Sequence, residues 1–340
     1  QLTLSNILIF WLIYFIFKKF NLFIDNTSFS AHKKIGKENN LPIVLGGVYI
    51  ITITLIYYPN EFLETKLIFL LIFILGLMSD KNILINTKLR LFFQIILISS
   101  LVYFSDLKIS DLRSDFLNEI LHNNIFNIFF TIFCLAVLIN GSNFIDGLNG
   151  LLSGYYILLI GSILFICHQN PEINFLNQKF IELLLISLII FLIPNIYGKV
   201  YLGDGGSYLI AAIIGYFLID FYHLNQRVSP YYISLLLWYP AFENLFSLLR
   251  RIKSKKNVSS PDNRHLHQII FFFIKKKKYF KRENVNFICS GIILFINLPG
   301  FIIGSIYYDK SIILAIILLY NLIMYCLVYY KMSKLSNFNK

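Results

Sequence analysis

Long apolar runs alternate with short polar segments along almost the whole chain. An α-helix needs about 17–25 apolar residues to cross a bilayer, and slightly fewer where flanking side chains reach the interface. Eleven runs approach this length, so the pattern predicts an all-α, polytopic membrane protein with about eleven transmembrane helices. The predicted spans are 2–17, 42–58, 66–79, 89–105, 125–141, 150–168, 179–197, 206–222, 231–249, 286–306 and 311–330.

The composition points to a chain embedded in lipid. Hydrophobic residues make up 57% of the 340 positions and charged residues only 14%, whereas a soluble domain carries roughly 25% charged residues. A soluble globule must cover its surface with polar groups, so the composition excludes the soluble, disordered and nucleic-acid-binding classes. The four cysteines lie in or beside apolar runs and fit small buried hydrophobes better than disulfides or metal ligands.

The distribution of Lys and Arg predicts the orientation in the membrane. If the N-terminus is outside, the inside segments hold 24 of the 30 basic residues. Cytoplasmic loops of membrane proteins carry an excess of Lys and Arg. We therefore expect the N-terminus outside and the C-terminus in the cytoplasm. The first span has no preceding basic region and no cleavage site of small residues, so we expect it to be a retained helix.

Three acidic residues interrupt the predicted inside segments: Asp80 after the third span, Asp146 within 140–151, and Asp204 within 199–207. Mg²⁺ prefers carboxylate oxygens together with substrate phosphates, and the flanking glycines let backbone N–H groups approach an anion. Each acid taken alone also fits a helix cap or a turn. Because all three fall on the same predicted side, the pattern favours one convergent site for a cation.

The largest inside segment, 250–285, is a basic loop that carries Arg264, His265 and His267. Positive-inside topology and attraction to anionic lipid explain its lysines 275–278. They do not explain two histidines spaced i, i+2 beside an arginine. No third soft ligand for zinc lies nearby, so these side chains are better interpreted as donors to phosphate oxygens.

Taken together, these motifs resemble those of the polyprenyl-phosphate N-acetylhexosamine-1-phosphate transferases, glycosyltransferase family 4. The resemblance runs from about Asp25 to Gln268. It is carried by 143–151, by 203–207 and by Pro261-Asp262 followed by His265-Leu-His267, with a weaker match at Ser30-Ala-His-Lys33. It implies a single transmembrane transferase domain over 1–340 that uses a UDP-N-acetylhexosamine and undecaprenyl phosphate, and releases UMP at the cytoplasmic face of a bacterial inner membrane.

The resemblance also implies roles for individual residues. Asn143 and Asp204 would bind Mg²⁺, or Mn²⁺ in its place, and Asp80 and Asp146 would orient or deprotonate the lipid phosphate. The predicted substrate-binding residues are His32, Lys33, Asn149, Asn195, Lys199, Arg251, Arg264, His265 and His267. The expected partners are the two substrates and membrane lipids but no nucleic acid, and a homodimer is an open alternative to a monomer.

Four positions depart from the family pattern. Ser79 replaces the first of two adjacent acids, Asn149 replaces a second acid, Glu243 stands where Asp is common, and Gln268 replaces a final histidine. These departures favour the branch that initiates surface polysaccharides such as O-antigen over the phospho-N-acetylmuramoyl-pentapeptide transferases of peptidoglycan synthesis, which stay an alternative. A secondary transporter is an alternative of another class, although transporters place such acids near the bilayer midplane, commonly between inverted repeats.

Overall fold

A computed structural model describes residues 2–23, 43–109, 111–173, 175, 177–255, 262, 264–277, 280 and 284–335. These residues form thirteen α-helices and one short 3₁₀ helix, Asn60–Phe62. The α-helices are α1 Leu2–Lys19, α2 Leu45–Tyr57, α3 Leu63–Asp80, α4 Thr87–Phe104, α5 Asp115–Leu121, α6 Asn124–Ile145, α7 Leu151–Gln169, α8 Gln178–Ile196, α9 Gly203–Leu224, α10 Pro230–Lys253, α11 Leu266–Lys277, α12 Val285–Ile306 and α13 Ser311–Leu335.

Each of the eleven predicted spans lies on one of these helices, which confirms the all-α, polytopic fold. Nine helices within the described ranges are long and apolar enough to cross a membrane. The two remaining predicted spans, on α2 and α10, do not meet this criterion, each for its own reason. Helix α2 has only 13 residues, and α10 is long enough but carries two prolines, Glu243 and a basic last turn.

Helix α9 lies at the centre of the bundle, and most of its length is buried against α2, α3 and α6. Glycines allow the closest of these contacts. A Cβ atom added to Gly76 of α3 would lie 2.4 Å from the Cα atom of Gly205, and one added to Gly47 of α2 would lie 2.8 Å from the backbone nitrogen of Gly206. The backbones of three helices therefore touch at the start of α9, which fixes that helix end.

The outer helices present apolar side chains outwards. Trp11 on α1, Phe92 on α4 and Ile312 on α13 are all more than half exposed. A soluble monomer rarely exposes large apolar patches of this kind, whereas lipid chains cover them at no cost in a membrane. All four cysteines are free. Cys167 and Cys289 are buried, and Cys326 faces outwards on α13.

The polar segments meet at one end of the bundle, which we call the polar end. Its members are the C-terminal ends of α1, α3, α6, α8, α10 and α13 and the N-terminal ends of α2, α4, α7, α9 and α12, together with α11. At this end the backbone N–H groups of Gly46 and Gly47 donate to the carbonyl oxygens of Tyr201 and Leu202, at 2.9 and 3.1 Å. This arrangement places the described parts of the predicted inside segments side by side.

Three features differ from the prediction. The run 203–207 is the first turn of α9 and not a loop before the span, and the basic segment 250–285 contains the helix α11. Likewise α6 continues to Ile145, beyond the predicted end at 141. Polar side chains extend α6 because they bond to their own helix: Asn140 donates to the Ala136 carbonyl and Ser142 to the Leu138 carbonyl.

Candidate functional site at the polar end

Asp204 is the point at which α3, α6 and α9 meet. It lies in the first turn of α9 and is only 6% exposed. The Ser79 hydroxyl at the end of α3 donates to its Oδ2 atom at 2.7 Å, and the Asn143 side-chain amide of α6 donates to its Oδ1 atom at 2.9 Å. The fold therefore joins residues that lie 61 and 125 positions apart in the chain.

Asp80 is adjacent and serves the N-terminus of α9. Its two carboxylate oxygens accept the backbone N–H groups of Asp204 and Gly205 at 3.0 and 3.1 Å. The first N–H groups of a helix have no partner within the helix, and this end carries a partial positive charge. An anionic acceptor there stabilises the helix start, so Asp80 holds Asp204 in place whatever further role it has.

The conformation of Gly203 lets the backbone N–H groups of Asp204 and Gly205 reach the Asp80 carboxylate. The φ of Gly203 is +75°, in the left-handed region, and an added Cβ atom would lie 2.7 Å from Oδ2 of Asp80. A larger residue would be strained and would push the Asp80 carboxylate away. Glycine at 203 is therefore required both by the backbone and by the acid that caps α9.

Sequence reasoning missed Arg90, in the first half of α4. Its guanidinium donates to the Ser79 hydroxyl and lies 3.7 Å from Oδ2 of Asp204. In the sequence Arg90 contributes only to the positive-inside pattern, and no motif marks it. The structure shows that it is a cation beside Asp204, in a position to neutralise that carboxylate or a phosphate bound near it.

Asp204 and Asn143 form a donor set that suits a hard cation. The amide of Asn143 also donates to the Ser207 hydroxyl at 3.0 Å, and a half-turn of the amide would present its oxygen to a cation instead. Within the described ranges no group of three His, Cys, Asp or Glu residues forms a metal site. Mg²⁺ does not need one, because it is commonly held by one or two carboxylates, waters and substrate phosphates.

The predicted residues of the turn after α6 are joined to α8 and α12. The backbone N–H of Gly150, whose φ is +79°, donates to Oδ1 of Asn195 at 2.7 Å. The Asn195 amide in turn donates to the Val200 carbonyl at 2.8 Å, and the Asn149 N–H donates to Oδ1 of Asn286 at 2.9 Å. Asn195 is therefore occupied on both sides by the protein, and its predicted contact with a nucleotide stays a prediction.

Four other predicted residues lie either on neighbouring connections or outside the described residues. Asp146 is the C-cap of α6 and is partly exposed at the polar end. Lys199 is exposed in the short connection between α8 and α9. His32 and Lys33 lie outside the described residues, so their predicted roles are not addressed by the structure.

The histidine motif packs directly against the end of α6. The His265 ring lies 4.7 Å from the Phe144 ring, centroid to centroid, and is stacked on His267 at 5.6 Å with an interplanar angle of 6°. A Cβ atom added to Gly147 would lie 2.9 Å from Nε2 of His267. The third predicted motif therefore adjoins the residues next to Asn143.

His267 is fully buried, and neither of its ring nitrogens has a hydrogen-bond partner. Burial lowers the pKa of His267 to about 3, even though nearby Glu243 favours the protonated ring. The ring is therefore neutral at physiological pH. A substrate would reach it only after a shift of the turn at Gly147, so its predicted contact with phosphate or sugar stays a prediction.

Asp262 joins the histidine motif to α10 through a hydrogen bond and ion pairs. Its carboxylate accepts the Ser247 hydroxyl at 2.8 Å, forms an ion pair with Arg250 and lies 3.5 Å from Nε of Arg251. It also accepts the backbone N–H of Arg264 at 3.1 Å. Burial raises the pKa of Asp262, but the nearby positive groups outweigh burial and hold it below its usual value. Arg251 thus has a protein anion as its neighbour, and Arg264 is partly exposed beside it.

The fold and this site define a class: a polytopic helical membrane protein with a buried acidic and amide site at its polar end. Residues 63–222 match the model of glycosyl transferase family 4. This region contains Asp80, Asn143, Asp146 and Asp204 and ends before the histidine motif. Over this region, a little under half of the chain, the protein is similar to that family, which confirms the resemblance inferred from the motifs.

Curated relatives agree with this assignment. The chain is 31% identical over 151 residues to an undecaprenyl-phosphate alpha-N-acetylglucosaminyl 1-phosphate transferase of Thermotoga maritima, covering 44% of this chain and 45% of the relative. It is 25% identical over 248 residues to a probable undecaprenyl-phosphate N-acetylglucosaminyl 1-phosphate transferase of Bacillus subtilis, covering 72% and 68%. It is 27% identical over 218 residues to a protein of Escherichia coli K12 that has the same name as the Thermotoga relative. This match covers 63% of this chain and 59% of the relative. The matched region thus spans between about half and two thirds of these relatives.

Proposed function

We propose that this protein transfers N-acetylhexosamine 1-phosphate from a UDP-sugar to undecaprenyl phosphate, or a similar polyprenyl phosphate, and releases UMP. The observation that carries the proposal is the convergence of Asp204, Asn143, Asp80 and Arg90 at one end of a membrane bundle. The names of the relatives, which specify an undecaprenyl-phosphate acceptor and an N-acetylglucosaminyl 1-phosphate group, support it. They favour N-acetylglucosamine as the sugar.

The reaction joins two anions. An oxygen of the lipid phosphate attacks the phosphorus that carries the sugar, a new diphosphate bond forms, and the bond to UMP breaks with its electron pair leaving on UMP. The acceptor phosphate is largely ionised at neutral pH, because its second pKa is about 6. Positioning the reactants and neutralising their charge are therefore the main demands on the protein.

The residues around Asp204 suit both demands. Asp204 and Asn143 would hold Mg²⁺, which when bound supplies positive charge to the diphosphate of the donor. Arg90 adds a second positive charge near Asp204, and Asp80 fixes the helix end from which Asp204 projects. Asp146, partly exposed at the polar end, is proposed to orient or deprotonate the lipid phosphate together with Asp80.

The remaining predicted residues would bind the donor. Arg264 is partly exposed beside the buried histidines, and Lys199 and Asn149 lie on connections at the same end. Guanidinium and ammonium groups there suit the phosphates of a sugar nucleotide. We place this end in the cytoplasm of a bacterium, where UDP-sugars are made, with the bundle in the inner membrane.

The direct test uses purified protein, undecaprenyl phosphate, Mg²⁺ and a panel of UDP-sugars, with UMP release and lipid-linked product as readouts. We expect turnover with UDP-N-acetylglucosamine or a closely similar donor. Turnover of UDP-N-acetylmuramoyl-pentapeptide alone would favour the peptidoglycan enzyme. Flux of a solute across vesicles without UMP release would favour a transporter and overturn the proposal.

Asp204→Asn tests the central residue. We expect the loss of all measurable turnover at a near-normal folded yield in detergent, because the change keeps the shape of the side chain and removes the charge that binds a cation. Asp220→Asn is the matched control, since Asp220 lies on the same helix near its opposite end. Retained activity of Asp204→Asn at an unchanged Mg²⁺ dependence would remove Asp204 as a ligand.

A further inference from the structure

Glu243 is a buried acid that the proposed reaction does not use. It lies on α10, is 1% exposed, and its Oε1 atom is 3.0 Å from Nδ1 of His265. The same oxygen accepts the backbone N–H of Leu266, the first residue of α11, at 3.2 Å. A buried carboxylate is costly unless it is paired and hydrogen-bonded. Both hydrogen-bond partners of Oε1 belong to the histidine motif, so this oxygen joins that motif to α10.

The contact with Glu243 determines how the His265 ring is presented. A carboxylate only accepts hydrogen bonds, so the proton on this side of the ring is on Nδ1, and Nε2 is directed away from Glu243. The two faces of the ring are limited by Phe144 and by His267, at 4.7 and 5.6 Å between ring centroids. The orientation and the tautomer of His265 are therefore set by α10, α6 and the start of α11 together.

We propose that Glu243 is a positioning residue: it orients His265, and through Leu266 the start of α11, so that the histidine motif meets the UDP-sugar beside Asn143. Phe144, which packs on His265, is the next residue after Asn143, so the same ring contact joins the two proposed halves of the site. The inference rests on the proposed transferase function and assigns Glu243 no direct contact with substrate. A carboxylate that holds a histidine in one tautomer is a recurrent way of tuning such a ring.

A double-mutant cycle tests the inference. Glu243→Gln, His265→Asn and the double variant are purified in detergent, their folded fractions are determined by size-exclusion chromatography, and steady-state kinetics are normalised to folded protein. If Glu243 acts through His265, each single change raises the KM for the UDP-sugar by about 10-fold, the loss expected for one hydrogen bond to a charged group. The KM for undecaprenyl phosphate stays close to the wild-type value.

The double variant carries the decisive result. We expect it to be no worse than His265→Asn alone, because two residues that act as one unit are not additive. Glu243→Asp should restore part of the loss, since it keeps the charge on a shorter side chain. Glu64→Gln, an exposed acid at the first turn of α3 at the opposite end, is the matched control.

The possible results separate the inference from the proposed function. Additive losses in the double variant would overturn the positioning role. A fall in kcat of the same size in both single variants, with both KM values unchanged, would also overturn it. Either result would leave the proposed transferase function intact. Wild-type kinetics in Glu243→Gln would overturn the positioning role as well. A wild-type protein that releases UMP from no UDP-sugar would overturn the proposed function and the inference with it.

Discussion

Two neighbouring carboxylates at the polar end have different surroundings at the scale of single residues. Asp80 accepts backbone N–H groups of α9, whereas Asp204 accepts the side chains of Ser79 and Asn143 and lies near Arg90. Backbone donors cannot move without moving the helix, while side-chain donors can rotate away when a cation arrives. This difference is the physical reason for assigning cation binding to Asp204 and a holding role to Asp80.

His267 gives a prediction about pH at the same scale. Its pKa in the folded protein is about 3 and its ordinary value is 6.5, so the unfolded chain binds a proton that the folded protein does not. Stability is therefore highest above pH 6.5 and falls as the pH is lowered from there towards 3. At pH 5 this single group costs up to about 2 kcal/mol, since one pKa unit corresponds to about 1.4 kcal/mol.

The measurement is the thermal unfolding midpoint in detergent between pH 7 and pH 5, a window above the titration of Asp262, whose pKa is lowered in the fold. We expect the midpoint of the wild type to fall more steeply than that of His267→Asn. His223→Asn, an exposed histidine near the opposite end of α9, serves as the control and should follow the wild type. Parallel curves for His267→Asn and the wild type would show that His267 does not titrate as a buried neutral ring.

At the scale of helices, the glycine contact between α3 and α9 positions the site. An added Cβ atom at Gly76 would lie 2.4 Å from a Cα atom of α9, and backbone cannot yield as a side-chain tip does. Overpacking of this kind typically costs about 1–3 kcal/mol. We expect Gly76→Ala to lower the thermal midpoint and, by moving Asp80 away from the start of α9, to lower UMP release as well.

Gly161→Ala provides the comparison for that variant. Gly161 lies within α7 and an added Cβ atom would meet nothing within 4 Å. Because alanine restricts the unfolded chain more than glycine, the midpoint of this variant should be unchanged or slightly raised. If Gly76→Ala matched Gly161→Ala in both stability and activity, the close backbone contact between α3 and α9 would not matter for the site.

At the scale of the whole molecule, the structure brings the polar segments to one end, and the distribution of Lys and Arg predicts the side of the membrane on which that end lies. The prediction rests on the sequence count, in which 24 of the 30 basic residues lie in the predicted inside segments. Reporter fusions after Lys256 should therefore give a cytoplasmic signal, and fusions near Asp111 an external one. An external signal after Lys256 would invert the orientation and separate the site from cytoplasmic UDP-sugars.

The amino-acid sequence alone specifies the class of fold and marks most of the polar residues that the structure brings together at the polar end. Apolar runs of bilayer length determine a helical membrane bundle because backbone polar groups in lipid must be satisfied within the helix. The acids near 80, 146 and 204 and the motif at 265–267 were recognisable because charged and polar groups are rare in such a chain. Helix ends were less certain, since polar residues such as Asn140 and Ser142 extend α6 by bonding to their own helix.

Which of these residues touch, and what each contact does, depends on how the helices pack. Arg90 carries no motif, and its place beside Asp204 depends on the packing of α4 against α3 and α6. The burial of His267 and the pairing of Glu243 with His265 depend on how α11 lies against α12 and α13. Such contacts join residues far apart in the chain, and local patterns of polarity do not specify them. They arise from the fit of helix surfaces, which the glycines at 47, 76, 205 and 206 permit.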